Sequence, residues 1–233
     1  MRDARVVALV PAHDEAAAIV GTVSAIRGIE GITRVIVVDD ASADGTGALA
    51  AEAGAEVVTL PENRGKGAAL NAGLTALGED YDVLLLLDAD LGPSASEAAA
   101  LVEPVLAREA DMTVGVLPKP PGSGGFGLVK GLARCGIFVL GRGFRARAPL
   151  SGQRALDPAA VAACTPFARR YGVETALTVR ARRAGLVVTE VPVAMSHAAT
   201  GRDASGFAHR ARQFVDVALT LLGLVFAPRR PRS

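Results

Sequence analysis

Two aspartates, Asp88 and Asp90, stand one residue apart at the end of the aliphatic run Leu84–Leu87, within the stretch LLLLDADLGP. Carboxylates held that close repel each other, and leaving them unpaired beside a low-dielectric core is costly. A hard divalent cation removes the repulsion and prefers oxygen ligands. With phosphates as its other ligands, it would bridge the protein to a nucleotide diphosphate. In an extended chain, side chains two residues apart point the same way. Asp88 is therefore expected where a strand emerges from the core, with Asp90 on the same side. An acidic pair alone is common in turns; the aliphatic strand ahead of this one gives it weight.

Three more polar clusters follow short apolar runs: VPAHDE, VVDDASADGT and LPENRGKGAALNAG. Asp39, at a strand tip, suits a nucleobase or ribose. Lys66, between Gly65 and Gly67 at a helix start, suits phosphate through its ammonium and the nearby backbone N–H groups. Asp40 and Ser42 fit a turn, and Asp44 a helix cap.

The elements that must position these groups are legible. RVVALV, RVIVVDD, AEVVTL, DVLLLLD and DMTVGVL read as buried strands, apolar on both faces as a parallel sheet demands. The segments between them are rich in alanine and leucine and read as helices, with Gly54 and Gly78 as stops. Strand then helix, four times over, predicts an α/β fold: an open, mostly parallel sheet flanked by helices, binding ligands at the carboxyl ends of its strands. After Leu117 the rhythm changes. SGQRAL reads as a short strand, Asp157-Pro158 as a cap and first helical turn, VETALTVRARRAG as a helix, and LVVTEVPV as a strand. A final helix is expected from about Gly206 to Phe226. The division expected is one catalytic domain over 1–205, with halves 1–117 and 118–205, and a C-terminal helix with a basic tail over 206–233.

At 233 residues, half of them apolar, the chain can bury a core without staples. Cys135 and Cys164 lie far apart, which fits a reduced, cytoplasmic compartment. The N-terminus meets Pro11 and charge after one short apolar run, so no signal peptide is expected. The uncharged tract 217–227 is shorter than the ~20 residues that span a bilayer. Charge is divided unevenly: residues 1–117 hold 7 Lys/Arg against 19 Asp/Glu, and residues 118–233 hold 18 against 5. The acidic half suits a cation and the basic half anions. Few aromatic residues are present for stacking bases, so a nucleic-acid partner is not expected.

Taken together, VPAHDE, VVDDASADGT, NRGKGAALNAG and DAD resemble the successive motifs of the family 2 glycosyltransferases, whose nucleotide-sugar-binding fold is called GT-A. The match in order and spacing covers about the first 120 residues. The resemblance implies an inverting, metal-dependent enzyme that moves a sugar from a UDP- or GDP-sugar to an acceptor. It further implies that Pro11, Ala12, Glu15, Asp39, Asp40 and Lys66 line the nucleotide site, and that Asp88 and Asp90 meet the sugar nucleotide and its Mg²⁺ or Mn²⁺. A sugar-nucleotide pyrophosphorylase would open with a glycine-rich GxGTR loop, which LVPAHDE lacks. A non-catalytic nucleotide-binding module is the alternative of another class, and retention of both aspartates argues against it.

Within that family, the basic, apolar second half and the SGQRAL segment resemble polyprenyl-phosphate sugar transferases. Those enzymes usually follow DADL with a metal-binding glutamine; here Gly92 takes that place. A ligand from elsewhere is then required, and His197, in a loop after a strand, is the candidate. A similar late histidine serves the metal in glucosyl-3-phosphoglycerate synthases, so the departure also points to a small soluble acceptor such as a phosphoglycerate. Arg154 and Arg202 suit bidentate phosphate clamping. Glu174 is the candidate base for a hydroxyl acceptor, and a phosphate acceptor needs none. The apolar tracts GIFVLGRGFRARAP and VDVALTLLGLVFAPRRPRS both end in arginines, which fits peripheral contact with the inner membrane face. An ordinary core helix or a homodimer helix is the alternative.

Overall fold

The computed structural model describes residues 4–118, 127–168, 172–197 and 205–226. Seven strands form one sheet: β1 (Val6–Ala12), β2 (Ile32–Asp39), β3 (Glu56–Thr59), β4 (Val83–Leu86), β5 (Met112–Val116), β6 (Arg154–Leu156) and β7 (Val188–Pro192). Their order is β3-β2-β1-β4-β6-β5-β7. All neighbours are parallel except β6, which runs antiparallel to both β4 and β5. The helices are α1 (Ile19–Arg27), α2 (Thr46–Glu52), α3 (Lys66–Leu77), α4 (Ala99–Leu106), α5 (Gly127–Leu140), α6 (Pro158–Cys164), α7 (Val173–Arg183) and α8 (Ser205–Phe226). The expected mostly parallel α/β sheet is the observed one. It runs unbroken from the first half of the chain into the second.

Strand alternation divides the core into two layers. Val6, Ala8 and Val10 of β1 face a cluster that includes Ile19, Val23, Val37, Leu85 and Leu101. Val7 and Leu9 face the opposite cluster, with Ile36, Leu70, Leu84, Leu86 and Leu177. Each fully buried Val or Leu contributes about 1.5–3 kcal/mol of transfer free energy. That is why these strands read as continuous apolar runs.

Two expectations need correction. β4 ends at Leu86, and Ala89 and Asp90 lie in a turn, so the aspartates do not converge by strand alternation. The alanine-rich segment between β4 and β5, expected as a helix, begins as a 3-10 helix, Gly92–Ala98, with Pro93 in its first turn, and continues as α4. Gly92 has φ +54°, a left-handed conformation open to glycine without strain. The residue at the place of the usual glutamine therefore serves the turn itself.

Candidate active site

The carboxyl ends of β2, β1 and β4 lie side by side. Ala12 pairs with Asp39, and the Leu87 N–H donates to the Leu9 carbonyl. Because β6 is antiparallel, the chain entering it arrives at this same rim, with Arg154 opposite Leu86. Ser151, Gly152 and Gln153 are thereby brought beside Asp88.

Buried contacts hold the DAD turn. The Thr22 hydroxyl, on α1, donates to the Ala89 carbonyl at 2.7 Å and accepts the Gly92 N–H at 2.8 Å. One turn along, the Ser94 hydroxyl accepts from the Ser196 N–H at 3.1 Å, tying the segment after β7 to the 3-10 helix. This tie brings His197 Nδ1 to 2.9 Å from Asp90 Oδ1. Asp88, Asp90 and His197 each offer a ligand atom within 4.8 Å of the others. Two carboxylates and an imidazole suit a divalent cation of the Mg²⁺ or Mn²⁺ class, with the imidazole favouring the more nitrogen-tolerant of the two.

Asp88 also anchors a second network. Lys66, the first residue of α3, places Nζ 2.6 Å from Asp88 Oδ1 and 2.8 Å from Glu174 Oε1. Gln153 Nε2 donates to the other Asp88 oxygen at 2.8 Å. Both Asp88 oxygens thus have protein partners, whereas Asp90 faces His197. Gly152 makes this packing feasible: a Cβ there would stand 2.6 Å from Lys66 Nζ and 2.7 Å from both Asp88 oxygens. Burial by itself would drive protons off Lys66 and onto Asp88. The two carboxylates override it for Lys66, whose pKa is raised, and the ammonium overrides it for Asp88, whose pKa is lowered.

Toward β1 and β2 the expected nucleotide-site residues also gather. Pro11 and Ala12 end β1. Asp39 accepts the Ser42 N–H at 2.9 Å. Asp40 accepts the N–H groups of Arg64 at 2.8 Å and Gly65 at 2.7 Å, holding the loop that leads into Lys66. Asp44, expected as a helix cap, instead lies one residue before the N-cap position, which Gly45 takes; its carboxylate accepts from Thr46 and from the Ala16 N–H and so locks the two loops together. Glu15 sits between these loops and the aspartates. Burial, then the charges of Asp90, Asp88 and Asp44, push its pKa up to about 7. The hydrogen bond that His197 donates to the Asp90 carboxylate raises the pKa of His197, against the effect of burial.

Arg154 corrects another expectation. Its guanidinium is fully buried and points into the protein, where it donates to the Ser151 carbonyl, the Thr178 hydroxyl and the Glu174 carbonyl at 3.0, 3.0 and 2.9 Å. Burial lowers its pKa to about 10. A phosphate clamp needs an accessible fork; this fork fastens the first turn of α7, and so Glu174, to β6. Arg202 lies outside the described residues.

Gln153, Gly152, Thr22 and Ser94 were missed by sequence reasoning. Gln153 and Gly152 carried a signal, since they sit inside SGQRAL. A buried threonine or a loop serine carries none.

The family model described as Glycosyl transferase family 2 matches residues 7–152. Glycosyltransferase AglJ of Haloferax volcanii is 31% identical over 195 residues, which is 79% of this chain; the chain spans 60% of AglJ's length. Undecaprenyl-phosphate mannosyltransferase of Micrococcus luteus is 30% identical over 211 residues, covering 81% of this chain and 82% of that protein. Glucosyl-3-phosphoglycerate synthase of Mycobacterium tuberculosis, crystallised with Mn²⁺, UDP and phosphoglyceric acid, superposes with a TM-score of 0.78 at 27% identity, covering 97% of this chain and 80% of that one. The same synthase has been crystallised with Mg²⁺ and UDP.

Proposed function

The chain belongs to glycosyl transferase family 2, and on that premise we propose that it transfers a sugar, with inversion, from a nucleoside diphosphate sugar to a polyprenyl phosphate. The observation that carries the donor half is the convergence of Asp88, Asp90 and His197 on one rim. Asp90 and His197 are the ligands proposed for Mg²⁺ or Mn²⁺, with Asp88 behind them. When bound, the metal supplies Lewis-acid stabilisation of the departing diphosphate. Asp39, Asp40, Pro11, Ala12 and Glu15 are assigned to the nucleoside side of the donor, and Lys66 to keeping Asp88 ionised beside the sugar.

In the transfer, an acceptor oxygen forms a bond to the sugar's anomeric carbon. The bond from that carbon to the diphosphate oxygen breaks, and its electron pair stays with the diphosphate. A phosphate acceptor is already anionic and needs no base. This agrees with Glu174, whose Oε1 is committed to Lys66; the role assigned to it is positioning. The Micrococcus relative, named for a polyprenyl-phosphate acceptor, supports the lipid reading. The His197–Asp90 pair and the likeness to the synthase favour a second acceptor, a small phosphorylated hydroxyl acid.

Turnover of labelled UDP- and GDP-sugars with Mn²⁺ tests both readings. Undecaprenyl phosphate in detergent is offered in one arm and phosphoglycerate in the other. Label passing into the organic phase supports the lipid acceptor. Label on phosphoglycerate alone replaces it with the soluble one, and no nucleotide binding at all would remove the enzyme reading.

A further inference from the structure

Among the described residues, α5 and α8 present exposed Leu, Val and Phe side chains on their outer surface. The two helices pack together through Val129, Ala133, Val217 and Leu221, and their opposite sides face outward. On α8, Val215, Leu219, Leu222 and Phe226 recur at intervals of four, three and four residues. Leu219 is 61% exposed, Leu222 57% and Phe226 85%. Leu128 and Val139 extend the surface along α5, at 84% and 68%. Large apolar side chains exposed in such number along two packed helices are the mark of an interaction surface.

Charge decides what covers it. Residues 127–147 carry five Lys/Arg and no Asp/Glu. Arg142 and Arg145, directly after α5, are exposed. The C-terminal ends of the two helices are neighbours, because Arg183 donates to the carbonyls of both Leu140 and Leu224. In sequence, α8 is followed by Arg229, Arg230 and Arg232. Of the five acidic residues of the second half, three are committed elsewhere: Asp157 caps α6, Glu174 pairs with Lys66, and Glu190 accepts the N–H groups of Arg147 and Ala148; Asp216, on α8, is half-buried. A second copy packed on the same face would set two positive rims against each other. An anionic surface matches it.

We propose that the α5–α8 face docks on an anionic lipid bilayer, its leucines, valines and phenylalanines among the acyl chains and its arginines at the headgroups. Among the described residues no helix is long and apolar enough to cross a membrane, so the contact is a helix lying on the surface. It also borders the site: Gly172, which caps α7 just before Glu174, lies so close to Thr220 of α8 that a Cβ there would overlap the hydroxyl. Docking would therefore place the Glu174 side of the site one helix away from the lipid surface. This deepens the polyprenyl-phosphate reading and rests on it only for its purpose.

The test is flotation of the full chain, without donor or acceptor, on phosphatidylcholine vesicles with and without 30 mol% phosphatidylglycerol. Expected is at least tenfold greater binding with the anionic lipid, reduced by high salt. Leu219→Glu/Leu222→Glu should lower it at least tenfold with the circular dichroism spectrum unchanged. Arg142→Glu/Arg145→Glu, which leaves the helices intact, should abolish the preference for phosphatidylglycerol. The proposal is overturned if the wild type stays at the bottom of the gradient, or if both variants float as the wild type does. It is equally overturned if sedimentation velocity finds a dimer that the leucine variant dissolves. Flotation with no turnover on polyprenyl phosphate would remove that acceptor and leave the docking surface standing.

Discussion

His197 Nδ1 stands 2.9 Å from Asp90 Oδ1, across 107 residues of sequence. The two atoms proposed above as metal ligands thus already lie within hydrogen-bond distance of each other. The Ser94–Ser196 bond supports that geometry from one side, and Thr22 supports it from the other.

Replacing either partner should cost metal and spare the fold. His197→Ala and Asp90→Asn are each expected to weaken Mn²⁺ binding, in the presence of UDP, by at least tenfold. Isothermal titration measures this. Unchanged affinity in both variants would place the cation elsewhere.

Lys66 should matter to stability as much as to activity. Removing its ammonium leaves Asp88 and Glu174 facing each other with little water. Lys66→Met is therefore expected to destabilise the protein by roughly 2–4 kcal/mol in urea titration. Adding Glu174→Gln should recover part of that loss, because one uncompensated charge goes with it. A double variant less stable than the single one would contradict the pairing.

Gly152→Ala tests the close approach. The new Cβ meets the flexible end of Lys66 and the Asp88 carboxylate, so the lysine is displaced while the backbone stays. Turnover is expected to fall on the order of tenfold to a hundredfold. The melting temperature should move by only a few degrees.

Arg154→Lys separates a buried fastener from a phosphate clamp. Lysine cannot reproduce the guanidinium fork, so a loss of about 2–4 kcal/mol in stability is expected. A clamp would give the opposite result, with stability intact and the KM for the phosphorylated substrate raised.

Glu15 makes the metal-free protein sensitive to pH. Its pKa rises from 4.5 in the unfolded chain to about 7 in the fold, so the folded state holds a proton that the unfolded state releases. Stability from this group is present below pH 4.5 and lost as pH climbs through about 7. Without metal, Glu15→Gln should melt higher than wild type at pH 8 and with it at pH 4. Equal melting at both would show that the carboxylate is not strained.

Much of the fold was legible because strand burial and helix periodicity are local. RVVALV, RVIVVDD and DVLLLLD betray β1, β2 and β4 by unbroken apolarity, and a parallel sheet with helices on both faces requires that pattern. Asp157 announced its cap in the same way, and its carboxylate accepts the Ala160 N–H at 2.7 Å. The turn at Ala89–Asp90 was not legible, because four leucines and an aspartate read equally well as strand to their end.

The sequence by itself determined which chemistry the chain carries: carboxylates clustered after apolar strands, and a second half rich in arginine. Only the tertiary structure decided which groups meet. Lys66, Asp88, Gln153 and Glu174 converge because β6 enters the sheet antiparallel beside β4 and carries Gln153 across 65 residues to Asp88. The same reversal sends Arg154 inward. Composition and spacing constrain neighbours along the chain; a side chain's direction across a sheet depends on strand order and polarity, which no local pattern encodes.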